Sequence, residues 1–338
     1  MTQTSRPVPD AAAIPASSIP GLTYRRLHAP ADYPRMNEIA NEVRIAQGDG
    51  FYTSDEQFQR FYERIENCDV ERDLFLVELD GRLMAYVRVG WHDEPATRLY
   101  EPIVFLDPAV ETLAILTELY AVADQRVAEI AAGHPHGPKV ARTSASGALR
   151  EAALVAGGYA AVRHFYTMVR PTLEDLPDAA MPAGLEIREV RPDDMETIFR
   201  AEVESFREHW GFAEPGSRER DDFFNDPVLS ETSLWRVAWD GPDVAGMVRS
   251  YIHPELNERL GIKRGWVEHI SVRRPWRRRG LARALIAASF PLLRERGMTE
   301  GALGVDSQNE SGALRVYERC GFEVVSRSSD YSRTLEGG

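Results

Sequence analysis

The chain has 338 residues, and 43% of them are hydrophobic, which is enough for ordinary cores in two domains. Its formal net charge of −13 argues against a general nucleic-acid binder, which would need a basic surface. With only two cysteines, Cys68 and Cys320, we expect no disulfide framework and no metal site. No segment approaches the ~18 apolar residues of a membrane span, and a signal peptide is not recognisable. We therefore expect a cytoplasmic protein without a membrane partner.

Repeated segments indicate how the chain is divided. Residues 1–20 are rich in Ala, Pro and Ser and predict a flexible tail. Beyond them, similar segments recur in the same order at an offset of 160 to 165 residues: 22–27 with 185–190, 74–81 with 234–241, and 147–150 with 312–315. This offset has the size of a domain. We therefore expect two similar domains, at 21–170 and 184–338, joined by a proline-containing linker at 171–183.

The residue pattern of the second copy predicts strands and helices in alternation. Apolar alternation and β-forming residues predict strands at 185–190, 234–240, 244–252, 266–272, 301–306, 322–326 and 331–335. Helices are predicted at 192–206, in a short segment through Phe224, at 281–296 and from a cap at Asn309 to Gly321. Pro291 should kink or split the third of these helices. Such alternation is typical of a mixed α/β sheet.

The segment between the strand 266–272 and the helix that starts at Leu281 carries the strongest functional signal. Five of the seven residues from Arg273 to Arg279 are arginines, and Gly280 follows directly. Backbone N–H groups at a helix N-terminus attract an anion, and a glycine lets phosphate approach without a Cβ in the way. The loop therefore favours a pyrophosphate site, because a nucleic-acid patch would not suit so acidic a chain.

The spacing Arg277-x-x-Gly280-x-Ala282 after a strand resembles the pyrophosphate motif of the GCN5-related N-acetyltransferases (the GNAT family). Asn309, Ala313, Tyr317 and Gly321-Phe322 resemble that family's second motif, in its order and spacing. The duplicated layout is similar to the tandem acetyltransferases of the mycothiol synthase type. The resemblance implies an α/β chain of two tandem acyl-CoA N-acyltransferase (GNAT) folds, each a mixed, mostly antiparallel twisted sheet flanked by helices.

The resemblance also implies roles for individual residues. The pantetheine arm and pyrophosphate of acetyl-CoA should be held by Ile270, Ser271, Val272, Arg277, Arg278, Arg279, Gly280, Leu281, Ala282 and Asn309. The N–H of Val272 is the expected oxyanion donor. Tyr317 should donate a proton to the departing thiolate, and Glu268 should take one from the acceptor ammonium. Glu268 and Val272 are four residues apart on one strand, so we expect both on one face.

Other residues near these motifs are expected to have different roles. In the fold that the resemblance implies, the loop after the first helix lines the acceptor groove, so Glu208, His209 and Trp210 are candidate substrate contacts. His269 should point away from Glu268 and serve the core or a hydrogen bond. Cys320 is expected to be a small buried side chain.

The first copy has lost the motif. Aligning the two copies by their prolines puts Phe105 beside Val272 and Leu113 beside Gly280, and it puts Glu111 beside Arg278. A leucine would block phosphate and an acidic residue would repel it, so we expect this copy to be degenerate.

Two functions remain open from the sequence. The first is direct transfer of an acetyl group from acetyl-CoA to a primary amine of a small molecule, in a ternary complex, with the second copy catalytic. The alternative is a non-catalytic acyl-CoA sensor or scaffold. No metal and no nucleic acid is expected as a partner, and the oligomeric state cannot be predicted.

Overall fold

The computed structural model describes residues 13–48, 50–94, 96–175, 179–309 and 312–335. Residues 1–12 of the predicted tail and residues 176–178 of the predicted linker lie outside this description. Within it, the chain forms two compact units. The first takes residues up to Val162 together with those from Ser328 onward, and the second takes Arg163–Arg327.

The first unit is a sheet with helices packed against it. Its strands follow the spatial order β1-β2-β3-β4-β5-β12, antiparallel except for the β4–β5 pair. Its helices are α1 Tyr33–Gln47, α2 Asp55–Glu63, α3 Leu113–Ala132 and α4 Ala148–Ala156, and its strands are β1 Leu22–Arg25, β2 Leu74–Leu79, β3 Arg82–Glu94, β4 Thr97–Leu106, β5 Lys139–Ala145 and the end of β12 Glu323–Thr334.

The second unit repeats this layout. Its strands follow the order β6-β11-β10-β9-β8-β7, and only β10 and β11 run parallel. Its helices are α5 Met195–Phe206, α6 Ser217–Asn225, α7 Pro254–Leu260, α8 Leu281–Glu295 and α9 Ala313–Arg319, and its strands are β6 Ala160–Arg170, β7 Glu186–Arg188, β8 Trp235–Asp240, β9 Asp243–Tyr251, β10 Arg264–Val272 and β11 Glu300–Asp306.

Each unit contains a strand whose partner is distant in sequence. Residues 165–170 of β6 pair with β11 in the second unit, and residues 329–334 of β12 pair with β5 in the first. The prediction of two final strands, at 322–326 and 331–335, is wrong, because β12 runs unbroken from Glu323 to Thr334. α7 was not predicted.

The helix α8 is anchored by its apolar face. Leu285, Ile286, Phe290 and Leu293 are fully buried in one cluster with Val267 and Leu303 of the sheet. Burial of side chains of this size contributes roughly 1.5–3 kcal/mol each. The helix runs through Pro291 as one element, so the expected split does not occur. The packing therefore holds the N-terminus of α8 in place against the ends of β9 and β10.

Candidate active site

A bulge in β10 shapes the site. Glu268 lies opposite Arg249 of β9, but Ser271 lies opposite Met247, so β10 carries one extra residue between them. His269 takes up this residue with φ +49, in the left-handed region. On the partner strand, a Cβ at Gly246 would lie 2.6 Å from the carbonyl oxygen of Ser271. A glycine is therefore needed where the bulged backbone approaches β9.

The bulge separates two residues that were expected to share a face. Opposite residues of an antiparallel pair share a face, and Arg249 and Gly246 are an odd number of residues apart on β9. Glu268, opposite Arg249, and Val272, opposite Gly246, therefore lie on opposite faces of the sheet. The expectation of one common face is wrong, because strict alternation holds only without an inserted residue.

The strands β10 and β11 diverge beside this bulge. Within the described residues, their parallel pairing covers only Arg264 to Trp266 on β10 and Glu300 to Ala302 on β11. Farther along, the carboxylate of Glu268 reaches across and accepts the N–H of Gly304 at 2.6 Å. Beyond their paired part, the backbone groups of Ile270 and Val272 border a gap that an extended ligand can enter. Ile270 and Val272 themselves pack against the α8 side, whereas Ser271 is buried on the other face.

The loop from Arg273 to Gly280 ends in a helix start open to an anion. Gly280 has φ +87 and is the N-cap residue of α8, and Arg278 has φ +60. Apart from Gly280 and its two neighbours in the chain, no described residue has an atom within 4 Å of the position that a Cβ of Gly280 would take. The first N–H groups of a helix have no partner within it, so those of Leu281, Ala282 and Arg283 remain available to a phosphate. The side chain of Leu281 is buried in the core.

Some arginines of this loop hold its backbone in place, and others are exposed to solvent. Arg277 donates to the carbonyl of Val272 at 2.9 Å and to the carboxylate of Glu208 at 2.5 Å. Arg279 donates to the carbonyl of Ala183 at 3.0 Å. Arg278 is exposed and has no ion pair within the described part of the chain. Arg277 and Arg279 therefore fix the loop, and Arg278 remains for an incoming anion.

Tyr317 lies in α9 and is almost fully buried in the same cluster as Val267 and Leu281. Burial, with the nearby Glu268 and Cys320, raises the pKa of Tyr317 above its ordinary value. It therefore keeps its proton at neutral pH. Cys320 is fully buried, as expected.

Asn309 does not cap α9. The helix begins at Ala313, and its N-cap residue is Gly312, with φ +75 and no side-chain cap. Asn309 instead lies in the turn after β11, where its N–H bonds the carbonyl of Asp306 at 3.1 Å. The predicted end of the helix is confirmed, because Gly321 has φ +82 directly after the C-cap residue.

The three candidate substrate residues after α5 have different surroundings. Glu208 pairs with Arg274 and Arg277 of the loop, and these hydrogen bonds lower its pKa. The ring of His209 packs edge-on against Phe206, and burial lowers its pKa. Trp210 is 36% exposed, with the guanidinium of Arg163 lying 5.5 Å from its ring centroid. Glu208 therefore belongs with the arginine loop, whereas Trp210 is partly exposed beside Arg163.

A buried charged group beside the bulge was not predicted from sequence. Glu202 of α5 is 7% exposed, and its Oε1 lies 2.7 Å from Nδ1 of His269. Its Oε2 lies 3.1 Å from Nε of the buried Arg249. Burial opposes the ionised carboxylate, but Arg249 and His269 outweigh it and lower the pKa of Glu202. This contact agrees with the expectation of a core or hydrogen-bonding role for His269. A glutamate on the apolar face of a helix was the available signal for this group.

The first unit closes the corresponding gap with its own side chains. Among the described residues, the strands β4 and β5 also pair only at their beginnings, from Arg98 to Tyr100 on β4. Arg150, 4% exposed, donates to the carbonyls of Val104 and Leu106 at 3.1 and 3.2 Å and pairs with Glu111. The end of β4 that corresponds to Ile270 and Val272 is thus occupied.

The helix start of the first unit is also capped. Thr112 is the N-cap residue of α3, and its hydroxyl accepts the N–H of Ile115 at 3.3 Å. The structure therefore equates Thr112, not Leu113, with Gly280, and Leu106, not Phe105, with Val272. The alignment by prolines was displaced because the loop has six residues, 107–112, in the first unit and eight, 273–280, in the second.

Two further findings concern the described residues. None of the helices there is both long and apolar enough to cross a membrane. No group of three or more His, Cys, Asp or Glu residues in the described ranges could hold a metal ion.

Known proteins are similar to this chain in sequence and in fold. The model of the acetyltransferase (GNAT) family matches residues 195–322. A mycothiol acetyltransferase of Rhodococcus jostii is 30% identical over 76% of this chain and 82% of its own length. One of Salinispora arenicola is 29% identical over 52% of this chain and 57% of its own length.

Among solved structures, a GCN5-related N-acetyltransferase from Sphaerobacter thermophilus has a TM-score of 0.68 at 23% identity, covering 95% of this chain and 97% of that one. A tandem GNAT protein from the clavulanic acid biosynthesis pathway has a TM-score of 0.62 at 14% identity, covering 93% and 98%. These two neighbours confirm the predicted fold class.

The protein is an acyltransferase, and the strand gap that leads to the open helix start is its candidate site for an acyl-CoA. Since the relative from Rhodococcus jostii aligns along most of both chains, this chain belongs to the GNAT family of acetyltransferases. That family uses acetyl-CoA as its co-substrate, so the reaction is acetyl transfer.

Proposed function

We propose that this acetyltransferase moves the acetyl group of acetyl-CoA to a primary amine of a small molecule by direct attack in a ternary complex, and that the second unit alone is catalytic. The observation that carries the proposal is the difference between the two helix starts. Gly280 leaves the N-terminus of α8 uncapped, whereas the hydroxyl of Thr112 occupies that of α3. Of these two helix starts, that of α8 lacks a side-chain cap and therefore offers more free N–H groups to an anion.

The cofactor residues follow from this placement. Backbone groups from Arg277 to Ala282 hold the pyrophosphate, with Arg278 adding charge at the surface. The pantetheine arm lies along Ile270, Ser271 and Val272, where β10 leaves β11. Asn309 lies in the turn after β11. We propose that it contacts the cofactor from the β11 side of the gap between β10 and β11.

Two groups then act on the reacting thioester. The N–H of Val272 donates to the carbonyl oxygen as it gains charge in the tetrahedral intermediate. Tyr317 donates a proton to the departing thiolate, and its raised pKa keeps that proton in place until the thiolate forms. Glu268 is the base that the sequence predicts for the acceptor ammonium, although one of its oxygens already accepts the N–H of Gly304.

The acceptor enters beside α5 and its following loop. His209 and Trp210 are its proposed contacts, with Glu208 stabilising the loop that holds the cofactor. Both curated relatives described above are named mycothiol acetyltransferase, which favours a small polar amine. The mycothiol precursor is therefore the first acceptor to test.

The test follows thiol release from acetyl-CoA with a panel of amines that includes this precursor and a peptide N-terminus. Wild type should release thiol only with one class of amine, and Gly280→Leu should abolish both turnover and acetyl-CoA binding. Gly261→Leu is the matched control, because Gly261 has φ +65 and open space around its Cβ position, like Gly280. Both variants carry the same backbone strain, of about 1–2 kcal/mol for a left-handed side chain.

Each outcome decides between the candidate functions. Loss of binding in both glycine variants would mean that strain, rather than the phosphate site, is responsible. Acetyl-CoA binding in wild type without turnover on any amine would overturn the enzymatic proposal and favour an acyl-CoA sensor.

A further inference from the structure

We propose that His269, oriented by the buried carboxylate of Glu202, is the catalytic base that removes the proton from the acceptor amine. This inference rests on the proposed amine acetylation and names the group that activates the acceptor. Glu202 is the positioning residue, and Glu268 has a structural role in bridging β10 and β11.

The bulge directs His269 toward α5. Its φ of +49 interrupts the alternation of β10, and a bulge re-aims the side chain it carries. The imidazole thereby lies beside Glu202, with Nδ1 2.7 Å from Oε1. The first unit offers a comparison, because β4 pairs with β3 in unbroken register from Thr97 to Leu106. The bulge is present in β10, beside the open gap of the second unit. It is absent from the described residues of β4, beside the occupied gap of the first unit.

The carboxylate selects the tautomer that a base requires. An ionised Glu202 accepts a hydrogen bond from Nδ1–H of His269, which leaves the lone pair of Nε2 facing away from α5. The His269 side chain is 37% exposed, and its Nε2 has no hydrogen-bond partner among the described residues. Such an imidazole can take a proton from a molecule that arrives from solvent.

The charges around His269 come from three elements. Glu202 faces it from α5, Arg249 lies behind Glu202 on β9, and Glu268 precedes it on β10. Phe206 packs edge-on at 6.4 Å and separates it from His209 of the following loop. Arg249 neutralises much of the charge of Glu202, and burial favours a fixed geometry over exchange with water.

Glu268 is less suited to this task. Its Oε1 accepts the N–H of Gly304 at 2.6 Å and closes the backbone where β10 and β11 separate. A carboxylate that supports the strand gap would have to give up this bond or protonate beside it. His269 has no such structural duty at Nε2.

The position of His269 along β10 fits an acceptor next to the thioester. It precedes Val272, the proposed oxyanion donor, by three residues, about 10 Å along a strand at ~3.3 Å per residue. The proposal places the amine group and one water molecule in this span. Proton transfer through a single water is an established mode of general base catalysis.

The proton balance is complete without a further reactant. The ammonium gives one proton to Nε2 of His269, and the free amine attacks the carbonyl carbon. The C–N bond forms, the C–S bond breaks, and the thiolate takes a proton from Tyr317. The amide nitrogen loses its second proton, which restores Tyr317, and the imidazolium releases its proton to solvent.

The test measures kcat/KM for the amine from pH 5 to 9 in wild type and in His269→Asn. Asn tolerates the left-handed region, so the bulge should survive. Wild-type activity should fall toward acidic pH, which gives the profile an acidic limb, because a protonated imidazole cannot act as a base. In His269→Asn the fall of kcat/KM at acidic pH should disappear. The rate at pH 7 should drop roughly 10²-fold, and added imidazole should restore part of the activity. The limb set by the acceptor amine itself should stay the same in every variant.

Three variants separate the candidate groups. Glu202→Gln should displace the acidic limb toward lower pH and reduce kcat, because a neutral amide no longer stabilises the imidazolium. Glu268→Gln and His209→Asn should keep the limb. Acetyl-CoA affinity measured by calorimetry should stay within about threefold in all of these variants, which shows that they fold. Should His269→Asn fail to fold, the limb in wild type and its displacement in Glu202→Gln carry the test.

An acidic limb that persists in folded His269→Asn, or that disappears in Glu268→Gln, would overturn this inference and leave the proposed function intact. Wild-type binding of acetyl-CoA without turnover on any amine would overturn the proposed function, and the inference with it.

Discussion

Glu208 accepts a hydrogen bond from Nη1 of Arg277 at 2.5 Å and so joins the loop after α5 to the loop before α8. The same guanidinium donates through Nε to the carbonyl of Val272 at 2.9 Å. One side chain thus ties together the proposed acceptor loop, the end of the bulged strand and the proposed pyrophosphate loop. A motif arginine acts here through geometry as well as charge.

Replacing Arg277 should therefore differ from replacing its exposed neighbour. We expect Arg277→Met to raise the KM for acetyl-CoA at least 10-fold at any ionic strength, because the loop loses its ties to Val272 and Glu208. Arg278→Met should raise the KM only a few-fold at low salt, and the effect should fade near 0.5 M salt, where the screening length is only a few ångströms. Steady-state kinetics at two salt concentrations measures both. Identical salt dependence for the two variants would contradict this division.

Gly246 should be intolerant of even a methyl group. In Gly246→Ala the new Cβ would lie 2.6 Å from the Ser271 oxygen and 3.2 Å from Cα of Val272, and neither backbone atom can move without disturbing the bulge. We expect a loss of about 1–3 kcal/mol in the free energy of unfolding, as for other overpacked cores. Urea denaturation measures it. Gly301→Ala is the control, because its Cβ would approach no atom closer than 3.6 Å. Equal effects in both would mean that strand glycines in general, and not the bulge, matter.

Arg150→Met should destabilise the first unit without weakening acetyl-CoA binding. The substitution leaves the carbonyls of Val104 and Leu106 and the carboxylate of Glu111 without their buried partner. Breaking such a pair costs on the order of 3–5 kcal/mol. Denaturation should show the loss, and calorimetry should give an unchanged acetyl-CoA affinity. Arg98→Met removes a more exposed partner, of Asp93, and should change little. Weaker acetyl-CoA binding in Arg150→Met would indicate that the first unit also contributes to the cofactor site.

The arginine–glycine motif before α8 could be recognised from the sequence, whereas the bulge in β10 could not. Gly280 and the arginines were recognisable because a helix start for phosphate needs a glycine next to a strand end. The bulge at His269 was not, because alternation along β10 says nothing about an extra residue that only the register with β9 defines. Glu202 was missed for a related reason. Its partners Arg249 and His269 are 47 and 67 residues away in sequence and meet it only through the packing of α5 on the sheet.

Local sequence patterns also gave wrong boundaries where contacts with distant residues determine where an element begins or ends. Asn309 fits a capping pattern, but α9 starts after Gly312, whose left-handed backbone turns the chain into the helix. The final strand seemed divided at 327–330, where polar residues interrupt the pattern. It is continuous because residues 329–334 pair with β5, a partner almost 190 residues away. Exchange of a terminal strand leaves no mark in a local pattern.

Tyr317→Phe isolates the proposed proton donor, because only the hydroxyl is removed from a side chain that stays packed near Phe322. We expect kcat to fall roughly 10²-fold, the usual contribution of a general acid, while the acetyl-CoA affinity stays the same. The raised pKa of Tyr317 sets the pH dependence. The acid form is lost only above its ordinary titration range, so Tyr317 should impose no fall in kcat up to pH 10. A basic limb below pH 10 that disappears in Tyr317→Phe would contradict the raised pKa. Unchanged turnover in Tyr317→Phe would contradict the acid role itself, and solvent would then be the source of the proton for the thiolate.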